Sequence, residues 1–460
     1  MKLSILTIPR RIVLFSLIGS IGLFTQCKEK PVEVAQSHLS TELRQILSEY
    51  SLGSWYPRVI DHNNGGYYSN FSSDWSKEPE QNKFIVTQAR HVWTLSKAAE
   101  FFPEQSAYSE YASHGFQFLK NHMWDDEYGG FHQLVDSTGT PIAGSHAEEK
   151  RAYGNAFGIY ALAAYAKLTQ QPEALIFAQK AFTWFDEHAR DPINGGYFQY
   201  LEQDGTPIPR SALQDGYDAG DYIHVGLKDY NSSIHILEAF TELYAVWPDS
   251  VVRARLQEMY NIVSGPMLDE RGFLKLYFYP DWTLASHDEL IELAGGEGYQ
   301  TNHVTFGHDV ETAFLLIEAA HALGISEDQI LPIAKNMVDH SLEKGWDGKL
   351  GGFYEMGIDR DGTFEIVDHG KNWWAQSEGL HSLLLMHTYF PEGGYYKDFE
   401  LMYDYINKNL LDHQNKGWYS RGVDHHPEAK EGMKAQIWKG NYHTARALMG
   451  CISMLEGSHH

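Results

Sequence analysis

A glycine-centred turn recurs along this chain, and its spacing restricts the fold more than any single motif does. It reads HNNGGYY at Gly65 and Gly66, WDDEYGGFH at Gly129 and Gly130, and DPINGGYF at Gly195 and Gly196. It returns as LDERGFL at Gly272, WDGKLGGFY at Gly351 and Gly352, and HQNKGWYS at Gly417. The units lie roughly 65–80 residues apart, so the chain reads as an internal repeat. Acidic or amide residues precede each glycine and aromatic or apolar residues follow it, the chemistry of a tight turn feeding a short strand. Between the turns, apolar residues follow a 3.6-residue period. That predicts helices over roughly 38–51, 84–102, 107–121, 149–168, 173–189, 229–246, 250–264, 304–322, 327–343, 372–390, 397–410 and 436–455.

Twelve helices over six turn units make six helix pairs. Stacked in a line they form a solenoid, which needs a polar cap at its end. The last helix here is apolar, so the expectation is closure: an all-α (α/α)6 barrel with short β-hairpin connections. One domain over residues 38–457 accounts for a length of 460 residues without a linker. The stretches 203–228 and 281–303, rich in Gly, Asp and Tyr, are candidate walls of a site.

The N-terminus reads as a targeting segment. Lys2, Arg10 and Arg11 precede an apolar run, Ile12–Phe24, too short to span a bilayer comfortably. The run ends at Thr25-Gln26-Cys27 and resembles a bacterial lipoprotein signal. Residues 1–27 are expected to be a signal peptide with Cys27 as the lipidated residue, and 28–37 a tether. An uncleaved anchor and a plain secretory signal are the alternatives. The expectation is an exported protein, a periplasmic or outer-membrane lipoprotein that meets a membrane only through its lipid. Cys451, in an apolar stretch, is the one other cysteine, so no disulfide framework or thiolate metal site is expected. A net charge of −25 argues against a nucleic-acid partner. Aromatic residues make up 14% of the chain, which suits stacking on sugar faces and equally suits helix packing.

Polar patches recur at the starts of alternate predicted helices. Arg90 lies on an otherwise apolar face, either as a salt-bridged structural arginine or as a cation for a developing oxyanion. Tyr153 and Asn155, candidate contacts for a sugar hydroxyl, sit among the small residues Ala152, Gly154 and Ala156, which favour close helix approach. Asn231 and His235 share a helix face at i, i+4. His308 and Glu311 share another at i, i+3, where a carboxylate can orient an imidazole and raise its pKa. Trp373, Trp374 and Glu378 open a further helix as candidate sugar contacts, the tryptophans either stacking on a sugar ring or plugging the barrel. His443 opens the last helix, with Trp438, another candidate sugar contact, in the loop before it. Each patch alone is compatible with packing; a lone histidine is more often a satisfied core residue. Their common phase is the stronger signal, because alternate helices of such a barrel form one inner ring whose patches meet at one mouth. No HExxH, dinucleotide or phosphate loop is present, so no metal and no cofactor are expected.

The stretches QARHVW, AYGNAFGIYAL, HILEAF, GHDVE, WWAQSE and WKGNYHTAR, in that order, resemble the N-acylglucosamine 2-epimerase superfamily. They are most similar to its cellobiose 2-epimerase branch. The resemblance runs from Phe84 to Arg446. It implies the same barrel and a cofactor-free 2-epimerase interconverting reducing-end glucose and mannose units. It also implies that His308 and His443 are the acid/base pair, with Arg90, His235 and Glu311 assisting and the tryptophans holding the sugar. One departure is Ser233, where the cellobiose branch carries another histidine. The alternatives are a mannose 2-epimerase or aldose–ketose isomerase, a glycoside hydrolase on the same barrel, and a non-catalytic glycan-binding lipoprotein. A hydrolase would need two opposed acids.

Overall fold

A computed structural model describes residues 31–144, 148–213, 224–293, 302–360 and 363–457. The leader and Cys27 lie outside the described residues. Among the described residues, twelve long helices build the chain. They are α1 (Pro31–Ile46), α2 (Ile85–Phe101), α3 (Ser106–Phe118), α4 (Ala152–Thr169), α5 (Pro172–His188) and α6 (Tyr230–Val246). They continue with α7 (Ser250–Val263), α8 (Phe306–Leu323), α9 (Glu327–Lys344), α10 (Trp373–Tyr389), α11 (Tyr395–Asn409) and α12 (Tyr442–Leu455). The even-numbered helices pack side by side in a closed ring, α2 to α4 to α6 to α8 to α10 to α12 and back to α2. Each odd-numbered helix lies outside, against an inner neighbour. This is the (α/α)6 barrel expected from the repeat.

Burial explains the layering. Inner helix α4 is buried on every face from Ala152 to Ala166, and its glycines let neighbours approach: a Cβ at Gly158 would sit 2.3 Å from the Phe131 ring. Outer helix α11 buries one stripe, Tyr395, Phe399, Met402, Tyr405 and Ile406, at the spacing of a single helical face. The last helix starts at Tyr442, not near residue 436 as the period suggested. Residues 436–441 form a bridged loop, Gln436 pairing with Lys439, that holds Trp438 at the barrel end.

The connections are antiparallel two-strand hairpins. Strands β1 (Lys83–Phe84) and β2 (Leu134–Val135), β3 (Lys150–Arg151) and β4 (Tyr200–Leu201), and β5 (Lys228–Asp229) and β6 (Tyr277–Phe278) pair across repeats. The longer β7 (Met356–Arg360) and β8 (Thr363–Asp368) pair within one. Strands β1, β3 and β5 run directly into the inner helices α2, α4 and α6, so each hairpin anchors a helix start.

A buried lysine clamps five of the glycine turns. Lys83 meets Asp61 at 2.8 Å, Lys150 meets Asp125 at 2.8 Å, and Lys228 meets Asp191 at 2.8 Å. Lys371 meets Asp347 at 2.8 Å and Lys434 meets Asp412 at 2.6 Å. The aspartate's other oxygen accepts N–H groups two and three residues on, as Asp61 does from Asn63 and Asn64. The turn then needs left-handed backbone at its glycines. Gly66 has φ +66°, and a Cβ there would lie 2.6 Å from Gln88 Oε1, so both the conformation and the close approach require glycine.

Candidate active site

All six inner helices begin at the same end of the barrel, and each delivers a polar side chain there within its first turns. Helix α2 brings Arg90, α4 Tyr153, α6 His235 and Glu238, and α8 His308 and Glu311. Helix α10 brings Trp374 and Glu378, and α12 brings Tyr442, His443 and Arg446. The positive ends of six helix dipoles therefore face one volume, which favours negative charge in it.

His443 is 7% exposed, and its Nδ1 lies 2.5 Å from Glu378 Oε1 and 3.9 Å from Glu311 Oε1. Arg446, one turn further along α12, donates to Glu378 Oε1 at 2.7 Å and also to Glu311, Glu238 and the Tyr442 hydroxyl. One guanidinium thus joins three fully buried carboxylates from three helices. Burial pushes His443 well below the ordinary imidazole value, and Arg90 and Arg446 push it the same way. Burial pushes Glu378 well above the carboxylate range against the pull of Arg446. At Glu238 burial is outweighed by Arg446 and His235, which hold its carboxyl at about 2. Glu311, Glu378 and His443 bring ligand atoms within 4.8 Å of one another, a metal-like grouping. Its cation is the protein's own, because Arg446 already bridges both carboxylates.

His308 lies on the next inner helix but one. Its Nδ1 contacts the Tyr230 hydroxyl at 3.3 Å and Thr305 Oγ1 at 3.2 Å. Burial, then the positive potential of His235, His303 and Arg90, lowers it to about 3. Helix α10 separates the two histidines in the ring, and its Trp374 touches both: ring centroids lie 4.5 Å from His308 and 5.7 Å from His443. His235 points its Nδ1 at Glu238, 2.9 Å away, and packs against Tyr153 and Phe157. Arg90 donates to the Tyr153 hydroxyl at 2.9 Å and lies over the rings of Phe157 and Tyr442, at 4.3 and 5.0 Å. It forms no salt bridge among the described residues, so it is not the structural ion pair that one reading of the sequence allowed.

Other expected residues sit differently. Asn155 is buried with its Oδ1 accepting the Phe131 N–H and its Nδ2 donating to the Arg151 carbonyl. Its amide braces the turn at Phe131 and the end of β3 at Arg151, with one N–H and one lone pair to spare. Glu311 was expected to orient His308; its carboxylate instead serves Arg446, and Tyr230 and Thr305 take that task. Glu378, expected at the sugar, lies beneath His443 as its partner. Trp373 packs beside Lys439, whose ammonium is 5.5 Å from its ring, while Trp374 is the tryptophan between the histidines. Asn231 is partly exposed, with its Oδ1 unpartnered. Trp438 is 51% exposed at the rim, 4.5 Å from the Phe84 ring. Sequence reasoning missed Glu238, Tyr442 and Arg446. The signal for two of them was present: HILE and HTAR repeat the i, i+3 spacing of histidine and charged residue seen in HDVE.

Comparison with known proteins agrees with this fold. Residues 66–447 match the sequence profile described as N-acylglucosamine 2-epimerase (GlcNAc 2-epimerase). A cellobiose 2-epimerase of Bacteroides fragilis is 28% identical over 91% of this chain and 98% of its own. A D-mannose isomerase of Marinomonas mediterranea is 24% identical over 89% of this chain and 95% of its own. The solved structure of the cellobiose 2-epimerase from Bacillus thermoamylovorans superposes with a TM-score of 0.78 at 23% identity, covering 91% of this chain and all of that one.

Proposed function

Since this chain belongs to the N-acylglucosamine 2-epimerase family, we propose that it is a cofactor-free sugar 2-epimerase acting on a reducing-end glucose or mannose unit. The observation that carries the reading is a pair of histidines, His308 and His443, brought to one indole from helices on either side of it. Carbon 2 of an aldose is acidic only in the open-chain aldehyde. A base that removes its proton leaves an enediolate, and an acid that returns a proton from the other face inverts the centre. Two imidazoles can exchange those roles. The enediolate is an anion in a buried space, where Arg90 and six helix N-termini stabilise it.

The finer reading is a disaccharide of the cellobiose or mannobiose type. Trp438, exposed at the rim, offers a face to a second glycosyl unit beyond the histidines. The relatives include a D-mannose isomerase, so a ketose product is the competing outcome. A hydrolase reading finds no support in the carboxylates. Glu311 and Glu378 converge on one guanidinium beneath His443 and do not flank a scissile bond. Export and lipid attachment at Cys27 rest on the leader sequence; radiolabelled palmitate incorporated by wild type and lost in Cys27→Ser is the expected result.

The deciding experiment is proton NMR of cellobiose, mannobiose, glucose and mannose incubated in deuterated water. Epimerisation gives a new aldose with deuterium at carbon 2. A ketose would reassign the reaction, and no exchange into any of the four sugars would end the proposal. His308→Asn and His443→Asn are each expected to lower turnover by about 10²–10⁴-fold while the melting curve survives. Robust turnover in either would remove that histidine from the chemistry.

A further inference from the structure

Arg446 is buried in the ring. It is 8% exposed, and its two terminal nitrogens are taken by Glu238, Glu311, Glu378 and Tyr442. Yet two of those carboxylates are the Nδ1 partners of histidines: Glu378 of His443 at 2.5 Å, and Glu238 of His235 at 2.9 Å. The arginine therefore stands behind both imidazoles at once, from opposite sides of the barrel. We propose that Arg446 is a positioning residue for proton transfer, holding Glu378 on His443 Nδ1 so that His443 works as base and as acid without becoming an imidazolium. This rests on the 2-epimerase reading of the same site.

The step balances as follows. In the base state Glu378 is ionised, His443 Nδ1–H donates to it, and Nε2 carries the lone pair. Nε2 takes the proton from carbon 2, and the electron pair of the C–H bond stays on the sugar as the enediolate. The Nδ1 proton passes to Glu378 over the 2.5 Å contact. The acid state is then neutral His443 with Nε2–H and a protonated Glu378, and it runs backward to deliver a proton. Nothing is oxidised or reduced, and the charge that changes is on Glu378 beside Arg446. Burial favours this arrangement, because an isolated imidazolium there would lose most of its hydration.

The charged and titratable groups acting on His443 come from across the ring: Arg90 on α2, His235 on α6, His308 and Glu311 on α8, Glu378 on α10, and Arg446 on its own helix, with Glu238 and the Tyr442 hydroxyl behind Arg446. Removing Arg446 leaves the carboxylates without their cation, so proton affinity at the His443–Glu378 pair must rise. Arg446→Met is expected to move the acid limb of the kcat/KM profile up by about one pH unit or more and to lower kcat about 100-fold. Arg446→Lys keeps the charge and loses the fork. The limb is expected to stay while kcat falls about 10-fold. Ring-labelled histidine NMR reads the same change without sugar: the His443 signal, assigned by its loss in His443→Asn, is expected to titrate at higher pH in Arg446→Met. A folded Arg446→Met with wild-type limb and wild-type ring titration would overturn the proposal. Should that variant fail to fold, wild-type kcat in Arg446→Lys overturns it instead. Absence of deuterium exchange in wild type would strike the 2-epimerase reading, while the ring titration would still decide Arg446.

Discussion

Arg90 makes poor sense as a purely structural residue. A buried cation with no carboxylate partner costs several kcal/mol of desolvation, and among the described residues only Tyr153 and aromatic faces offset it. Such a cation is worth keeping where an anion forms transiently. Arg90→Met is therefore expected to lower kcat by about 10²–10³-fold while leaving the melting temperature unchanged or raised. Full activity with a lowered melting temperature would mark it as structural after all. Asn155 is the opposite case. With both amide atoms on the backbone of Phe131 and Arg151, Asn155→Ala is expected to cost about 1–3 kcal/mol of stability and leave KM alone. A raised KM at unchanged stability would return it to the sugar. Both cases show what the sequence holds at this scale. Residue type and helix phase located His308, His443 and Arg90, because those depend on periodicity. Which carboxylate serves which histidine depends on contacts across the ring, as between Glu238 and Arg446, and no spacing along the chain encodes that.

At the scale of the element, the fourth position of the inner helices repeats one device. Gln88, Asn155 and Gln376 each accept the backbone N–H that follows a glycine turn, from Tyr67, Phe131 and Phe353. Asp309 does the same for Leu274, but as a carboxyl, with its other oxygen buried and unpartnered. Burial pushes its pKa well above the carboxylate range. A folded value raised above the unfolded one means stability is complete below the unfolded pKa and declines as pH rises toward the folded one. Asparagine keeps the acceptor and loses no proton. Asp309→Asn should thus gain stability over wild type as pH increases, by up to about 1.4 kcal/mol per unit in that window. Urea denaturation at pH 5 and pH 8 checks it; an advantage that shrinks with pH would contradict the argument. The glycine turns were legible because their φ is unusual and their residue types few. The lysine clamps were not, because Lys83 reaches back 22 residues to Asp61 and Lys228 reaches 37 to Asp191, intervals with no common period.

At the scale of the molecule, folding buries imidazoles as neutral groups, three of them on the inner ring and two outside it. Burial holds His91, His308 and His381 at about 3, and His224 and His340 at about 4. Their folded values lie below the unfolded value of about 6.5, so the unfolded chain takes up protons first on acidification. Stability is full above about pH 6.5 and falls below it, each imidazole contributing up to about 1.4 kcal/mol per pH unit. The melting temperature is expected to drop between pH 6.5 and 4.5, before the clamped aspartates titrate, and a flat profile over that range would count against neutral burial. Closure itself was inferable from an apolar last helix. That same helix carries His443 and Arg446, and the barrel end is sealed where it meets α2. On the ribosome, five inner helices emerge before it does. A nascent chain, or one clipped ahead of Tyr442, has Arg90 and His308 but lacks His443, so under the proposed chemistry catalytic competence arrives with the final helix, at the moment the barrel shuts.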